Sequence, residues 1–179
     1  MNYLLPLIAV ILGYILALVI QPKKKSNLKL LLAFSGSFLL SVTVISLLPE
    51  VYETKNTTIG LYIMLGILFQ IILEFFSKGA EHGHVHGHQT ITHIPWLLFI
   101  SLCIHALLEG FPVGHHHDLS IGIAIHHLPI AIILTTFFVQ AQLNKKAIFA
   151  FMITFAMMTP LGTLASNYIP GLQEYTTEI

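Results

Sequence analysis

Residues 94–139 read IPWLLFISLCIHALLEGFPVGHHHDLSIGIAIHHLPIAIILTTFFV, which is two apolar runs separated by a short polar turn. The runs, 94–113 and 119–139, are each long enough to cross the hydrocarbon core of a membrane as a helix. The turn between them, 114–118, is so short that the two helices should form an antiparallel hairpin. This stretch predicts membrane helices that carry ionisable side chains inside them.

The rest of the chain repeats the same apolar pattern. Of its 179 residues 55% are hydrophobic and only 9% are charged, which is unlike an ordinary soluble domain. The strands of a membrane barrel would alternate polar and apolar residues, and these runs do not. We predict an all-α fold, a polytopic transmembrane bundle of about six helices in a single domain over 1–179. The four further spans are expected at 3–20, 28–49, 59–77 and 147–169.

Charge predicts the orientation of the bundle. Lys and Arg in short loops tend to stay in the cytoplasm. If the spans are as predicted, all Lys except Lys55 fall on one side of the membrane, which places both termini outside. We therefore expect a plasma membrane or bacterial inner membrane protein in contact with the lipid bilayer. A net charge of zero leaves no basic surface for a nucleic-acid partner.

Four ionisable side chains lie deep in spans four and five. His105 and Glu109 are four residues apart, so they share one stripe of a helix. His126 and His127 are adjacent and point in different directions, so only one of them need face the same partner. Counted from the turn, His105 and His126 lie at nearly the same depth. Imidazole and carboxylate ligands in one layer suit Zn²⁺, or a neighbour such as Fe²⁺ or Mn²⁺.

A second set of polar residues lies outside this layer. The segment 78–93 alternates His with small residues, as a metal-collecting tract does, and we expect it to be a cytoplasmic loop. Other candidates lie near the outer turn, just after span two and at the inner end of span three. The residues expected along a metal path are His82, His84, His86, His88, His115, His116, His117, Asp118, Glu50 and Glu74.

Three motifs together resemble the ZIP (Zrt/Irt-like) family of divalent-metal transporters. They are IHALLEG at 104–110, AIHHLP at 124–129 and SLLPE at 46–50. The resemblance implies a helical carrier that moves Zn²⁺ or a similar ion into the cytoplasm through a site between spans four and five. His105 and Glu109 match the family's span-four ligands, and His126 matches its first span-five ligand. His127 matches the neighbouring position, which contributes to a second metal in binuclear members.

Departures from the family pattern refine this expectation. Ala106 replaces a usual Asn and Ile130 a usual Glu, which argues for one metal instead of two, and many members carry His where this chain has Ser46. The family has eight spans, whereas six are predicted here. The chain is then either a fragment that lacks two helices or a shortened form that completes itself as a homo-oligomer.

Other functions remain open at the level of sequence. The chain has no phosphate-binding loop for a nucleotide and no H-E-x-x-H motif, so we expect neither ATP-driven transport nor an enzyme. One alternative is a membrane b-type haem protein with His105 and His126 as axial ligands. Another is a metal-sensing or storage protein that binds metal through the His tract and transports nothing.

Overall fold

The computed structural model describes residues 4–20, 25–53, 57–77, 95–114 and 117–168, and within these ranges the chain is helical and has no strand. The prediction of an all-α helical bundle is therefore confirmed. The predicted His loop at 78–93 and the turn residues His115 and His116 lie outside the described ranges. The helices are α1 Leu4–Ile20, α2 (Lys25–Val42, a π-helical turn Thr43–Leu47 and Leu48–Glu53), α3 Ile59–Ser77, α4 Trp96–Glu109, α5 His117–Gln140 and α6 Lys145–Tyr168.

Four of these helices, α2, α3, α5 and α6, are long and apolar enough to cross a membrane. Helices α1 and α4 are apolar as well but shorter, with 17 and 14 residues. These helices indicate a multi-pass membrane protein.

Helix ends differ from the expected boundaries where glycine and proline intervene. Helix α4 stops at Glu109, and the chain continues through a 3₁₀ turn, Pro112–Gly114, because Gly110 and Pro112 are poor helix formers. Helix α2 instead runs past Pro49 to Glu53. Pro49 cannot donate a backbone hydrogen bond, and its ring would crowd the carbonyl four residues earlier, so the π-helical turn just before it relieves the conflict.

Two helices organise the core of the bundle. Helix α5 packs mainly against α1 and α2, while α4 packs against α6 and α3. The centre holds Leu134 and Phe138 from α5 together with Phe151 and Phe155 from α6, all buried. Most apolar side chains of α2 and α3 are exposed in the isolated chain, as expected for helices that face lipid.

Small residues let particular helix pairs approach closely. A Cβ added to Gly13 of α1 would lie 2.7 Å from the Cβ of Ala131 in α5. Gly110 and Gly162 face each other between α4 and α6, where an added Cβ would meet backbone atoms, and Thr163 Oγ1 donates a hydrogen bond to the Gly110 carbonyl at 2.7 Å. Such contacts are typical of membrane helices, whose association depends on close packing.

The predicted hairpin of spans four and five is looser than the sequence suggests. The backbones of α4 and α5 make few contacts with each other. Helix α4 packs more closely on α6, and α5 packs more closely on α1. The short connection nevertheless brings their inner faces within side-chain reach. Polar side chains bridge the gap between the two helices.

Candidate metal centre

Helix α4 positions the first two candidate ligands. His105 and Glu109 lie one helical turn apart, so both point along the same stripe. His105 Nε2 lies 3.2 Å from Glu109 Oε1, and each side chain is only 14% exposed. The end of α4 that carries Glu109 is held against α6 by the adjoining Gly110.

Helix α5 brings two histidines to the same carboxylate. His126, His105 and Glu109 each offer a ligand atom, and these atoms all lie within 4.8 Å of one another. His127 Nε2 lies 2.8 Å from Glu109 Oε2. Both neighbours therefore reach Glu109, although the sequence required only one to do so. Consecutive side chains diverge by about 100° around a helix, so they can straddle a carboxylate that lies between them.

His127 is more deeply enclosed than the other three side chains. It is 1% exposed, and its ring lies 5.4 Å from that of Phe155 between centroids. Its Nδ1 has no hydrogen-bond partner among the described residues. His127 Nε2 thus faces the second oxygen of Glu109, and whether His127 is also a ligand, as expected from the sequence, stays a prediction.

His105, Glu109 and His126 form a three-ligand group, and the chemistry of these ligands suits a divalent cation. Ligand atoms around a tetrahedral zinc ion lie about 3.3 Å apart, as bond lengths of about 2.0 to 2.1 Å require. The separation of His105 Nε2 and Glu109 Oε1 is already 3.2 Å, whereas His126 would need a small side-chain adjustment. Three protein ligands leave a fourth position for water. An arrangement of this kind can take up an ion and release it again.

A further residue at the centre escaped the sequence analysis. Gln70 of α3 lies with Oε1 2.9 Å from His105 Nδ1, on the other side of the imidazole from Glu109. The expected metal residues are all ionisable, and Gln70 carries no charge. The available signal was a polar side chain in the middle of an apolar run.

The expected path residues are not part of the three-ligand group. Glu50, His117 and Asp118 are exposed and Glu74 is partly buried. Asp118 lines a cavity of about 330 Å³ between α2 and α5, together with Ser41 and Ser46. The remaining expected path residues, His82, His84, His86, His88, His115 and His116, lie outside the described ranges.

Two curated proteins are similar to this chain. Zinc transporter ZIP1 of Danio rerio is 25% identical over 110 residues, which cover 48% of this chain and 36% of that protein. Protein zntD of Dictyostelium discoideum is 28% identical over 112 residues, which cover 52% of this chain and 16% of that protein. No family model matches the chain, and no solved structure matches it. The matched region thus spans well under half the length of either relative and about half of this chain, and it supports the resemblance to the ZIP family that the motifs indicated.

Proposed function

We propose that this chain carries a divalent metal ion, with zinc the first candidate, across the membrane into the cytoplasm. The observation that carries the proposal is the set of three ligand atoms, from His105, Glu109 and His126, within 4.8 Å of one another between apolar helices. Ionisable groups are costly inside a membrane, so a cluster of them is best explained by an ion that they bind. The name of the Danio rerio relative, a zinc transporter, supports the same function and fits a protein that is not an enzyme.

Each residue of the centre has a distinct role in this proposal. His105 and His126 supply neutral nitrogen ligands, and Glu109 supplies the negative charge that offsets part of the ion's charge. His127 orients the Glu109 carboxylate through Oε2, the oxygen that His105 does not contact, as outer partners of metal ligands commonly do. Ala106 and Ile130 are fully buried apolar residues of the core, which supports one metal instead of two.

The proposed route connects the centre to both sides of the membrane. The ion approaches from outside past Glu50 and the turn 115–118, and leaves toward the His tract at 82–88. Helical carriers expose a site near the membrane centre alternately to each side by rocking one group of helices against another. No nucleotide is needed for such movement.

The test is uptake of radiolabelled ⁶⁵Zn²⁺ into proteoliposomes that contain the full chain. We expect uptake by the unchanged chain, and background uptake by the double variant His105→Ala, Glu109→Ala. Ser37→Ala, on the exposed face of α2, serves as a control that should transport normally. Competition by Fe²⁺ and Mn²⁺ in the same assay ranks the three candidate ions. Equal uptake by the unchanged chain and the double variant would contradict the proposal.

The two rival functions give different results in the same samples. In a storage or sensing protein, changing His82, His84, His86 and His88 to Ala would abolish function, whereas a carrier should keep most of its uptake. In a haem protein the purified chain would show a Soret absorption band. The haem arrangement is disfavoured because the Glu109 carboxylate lies close to both His105 and His126, where the macrocycle would have to fit.

A further inference from the structure

Gln70 is a polar side chain on the inward side of a helix that otherwise faces outward. The residues of α3 that are not exposed include Ile63, Gln70, Leu73 and Glu74, and their spacing places them along one side of the helix. A side-chain amide in an apolar environment is unfavourable unless it is hydrogen-bonded. Its placement on this side therefore calls for a specific partner.

One partner of Gln70 is the imidazole of His105. Gln70 Oε1 lies 2.9 Å from Nδ1, while Nε2 of the same ring lies 3.2 Å from Glu109 Oε1. A neutral imidazole carries a hydrogen on one nitrogen and a lone pair on the other. If Nδ1–H donates to the amide oxygen of Gln70, the lone pair is on Nε2, the nitrogen that faces Glu109.

A second hydrogen bond fixes α3 against α4 about one turn away. Ser101 Oγ donates to the Leu73 carbonyl, and both residues are buried. Ser101 precedes His105 by four residues, while Leu73 follows Gln70 by three, as expected for antiparallel neighbours. The Ser101 bond joins the two helices beside the centre, whereas the Gln70 amide contacts His105 directly and contributes no ligand to the metal.

From this geometry we propose that Gln70 is a positioning residue of the metal centre, acting on His105. It holds the His105 ring in the orientation and the tautomer that leave Nε2 available to a divalent cation. The inference rests on the proposed function, because it concerns the same centre. Outer partners of this kind typically change metal affinity by about 10- to 100-fold when they are removed.

The experiment measures Zn²⁺ affinity by equilibrium dialysis on the detergent-purified full chain. All samples carry Ala at His82, His84, His86 and His88, so that the His tract does not mask the centre. Gln70→Leu keeps the approximate size and removes the acceptor, and Gln70→Glu keeps the acceptor. Ser101→Ala is the matched control, because it removes a different hydrogen bond between α3 and α4, one that involves neither Gln70 nor His105.

We expect Gln70→Leu to weaken Zn²⁺ binding by about 10- to 100-fold, and Gln70→Glu to stay within about threefold of the unchanged chain. Ser101→Ala should bind Zn²⁺ normally even if it unfolds at a lower temperature. With Co²⁺ as a second probe, Gln70→Leu should also alter the visible absorption bands, which a purely structural role would leave unchanged in the folded fraction.

Equal affinity in Gln70→Leu and the unchanged chain would overturn the inference, and so would equal losses in Gln70→Leu and Ser101→Ala. The double variant His105→Ala, Glu109→Ala separates this outcome from failure of the proposed function. If the double variant binds as much Zn²⁺ as the unchanged chain, the centre itself is wrong. If only the double variant loses binding, the centre stands and the role of Gln70 falls.

Discussion

Glu109 is the residue through which the two halves of the candidate centre meet. One carboxylate oxygen lies 3.2 Å from His105 Nε2 and the other lies 2.8 Å from His127 Nε2. His126 adds a ligand atom within 4.8 Å of the His105 and Glu109 atoms. The pair His105 and Glu109 follows from helical periodicity alone, because both residues belong to one helix. The different positions of His126 and His127 relative to Glu109 depend on how α5 is rotated toward α4.

The two adjacent histidines should respond differently to substitution. We expect His126→Ala to reduce Zn²⁺ affinity by more than His127→Ala does, because it removes a ligand. His127→Ala should cost only about 10- to 100-fold, because it removes a partner of the carboxylate. Equilibrium dialysis with Zn²⁺ compares the two. A larger loss in His127→Ala would mean that His127, not His126, completes the ligand set.

At the scale of helices, small residues decide which pairs pack closely. Gly110 and Gly162 allow the end of α4 to pack closely against α6. Gly13 in the same way lets α1 approach α5. These contacts separate the backbones of α4 and α5 and leave the gap that the polar side chains bridge. Glycines inside the apolar runs were visible in the sequence, but which helices they join was not.

The crossing of α4 and α6 can be tested with an added methyl group. In Gly162→Ala the new Cβ would meet the Leu107 carbonyl, which is backbone and cannot easily move. Overpacking of this kind costs about 1 to 3 kcal/mol, and we expect a lower unfolding temperature and weaker Zn²⁺ binding, since Glu109 is displaced. Thermal unfolding in detergent, followed by the fluorescence of Trp96, measures the change.

Gly36→Ala in α2 provides the matched control for this variant. A Cβ at Gly36 meets nothing within 4 Å, so the substitution changes only the helix propensity. It should leave stability unchanged or raise it by up to about 1 kcal/mol. Equal destabilisation by the two alanines would show that the close contact of α4 and α6 is not the cause.

At the scale of the whole molecule, the candidate centre joins α4 to α5, two helices whose backbones make few contacts with each other. Its residues come from α4, which packs on α3 and α6, and from α5, which packs on α1 and α2. An ion held by both helices would stabilise the folded bundle, by an amount that rises with the logarithm of the free ion concentration above Kd. The orientation of the bundle remains a prediction from the distribution of Lys.

Zinc should therefore raise the unfolding temperature of the full chain in detergent. At a free concentration of 100 times Kd, a single site adds about 2.7 kcal/mol to the free energy of unfolding. Thermal unfolding with and without Zn²⁺, in the background with Ala at the four His of the tract, should show the shift. The double variant His105→Ala, Glu109→Ala should show none, and a shift of the same size there would contradict a centre between α4 and α5.

The orientation can be tested by labelling single cysteines in a Cys103→Ser background. If both termini are outside, a membrane-impermeant maleimide added to intact cells should label Asn2→Cys and Glu178→Cys. It should label Gly87→Cys, in the His tract, only after the cells are permeabilised. The reverse pattern would overturn the orientation and, with it, the proposed direction of transport.

The sequence by itself determined the helical membrane class and the pairing of His105 with Glu109. Both depend on local properties: the length of apolar runs, and the period of a single helix. Only the tertiary structure decided that α4 and α5 stay apart, that His127 reaches Glu109, and that Gln70 meets His105. Membrane helices are apolar on nearly every face, so their pattern does not specify which face turns inward or which neighbour it meets. Those choices follow from close packing at a few small residues, which acts between segments that are distant in sequence.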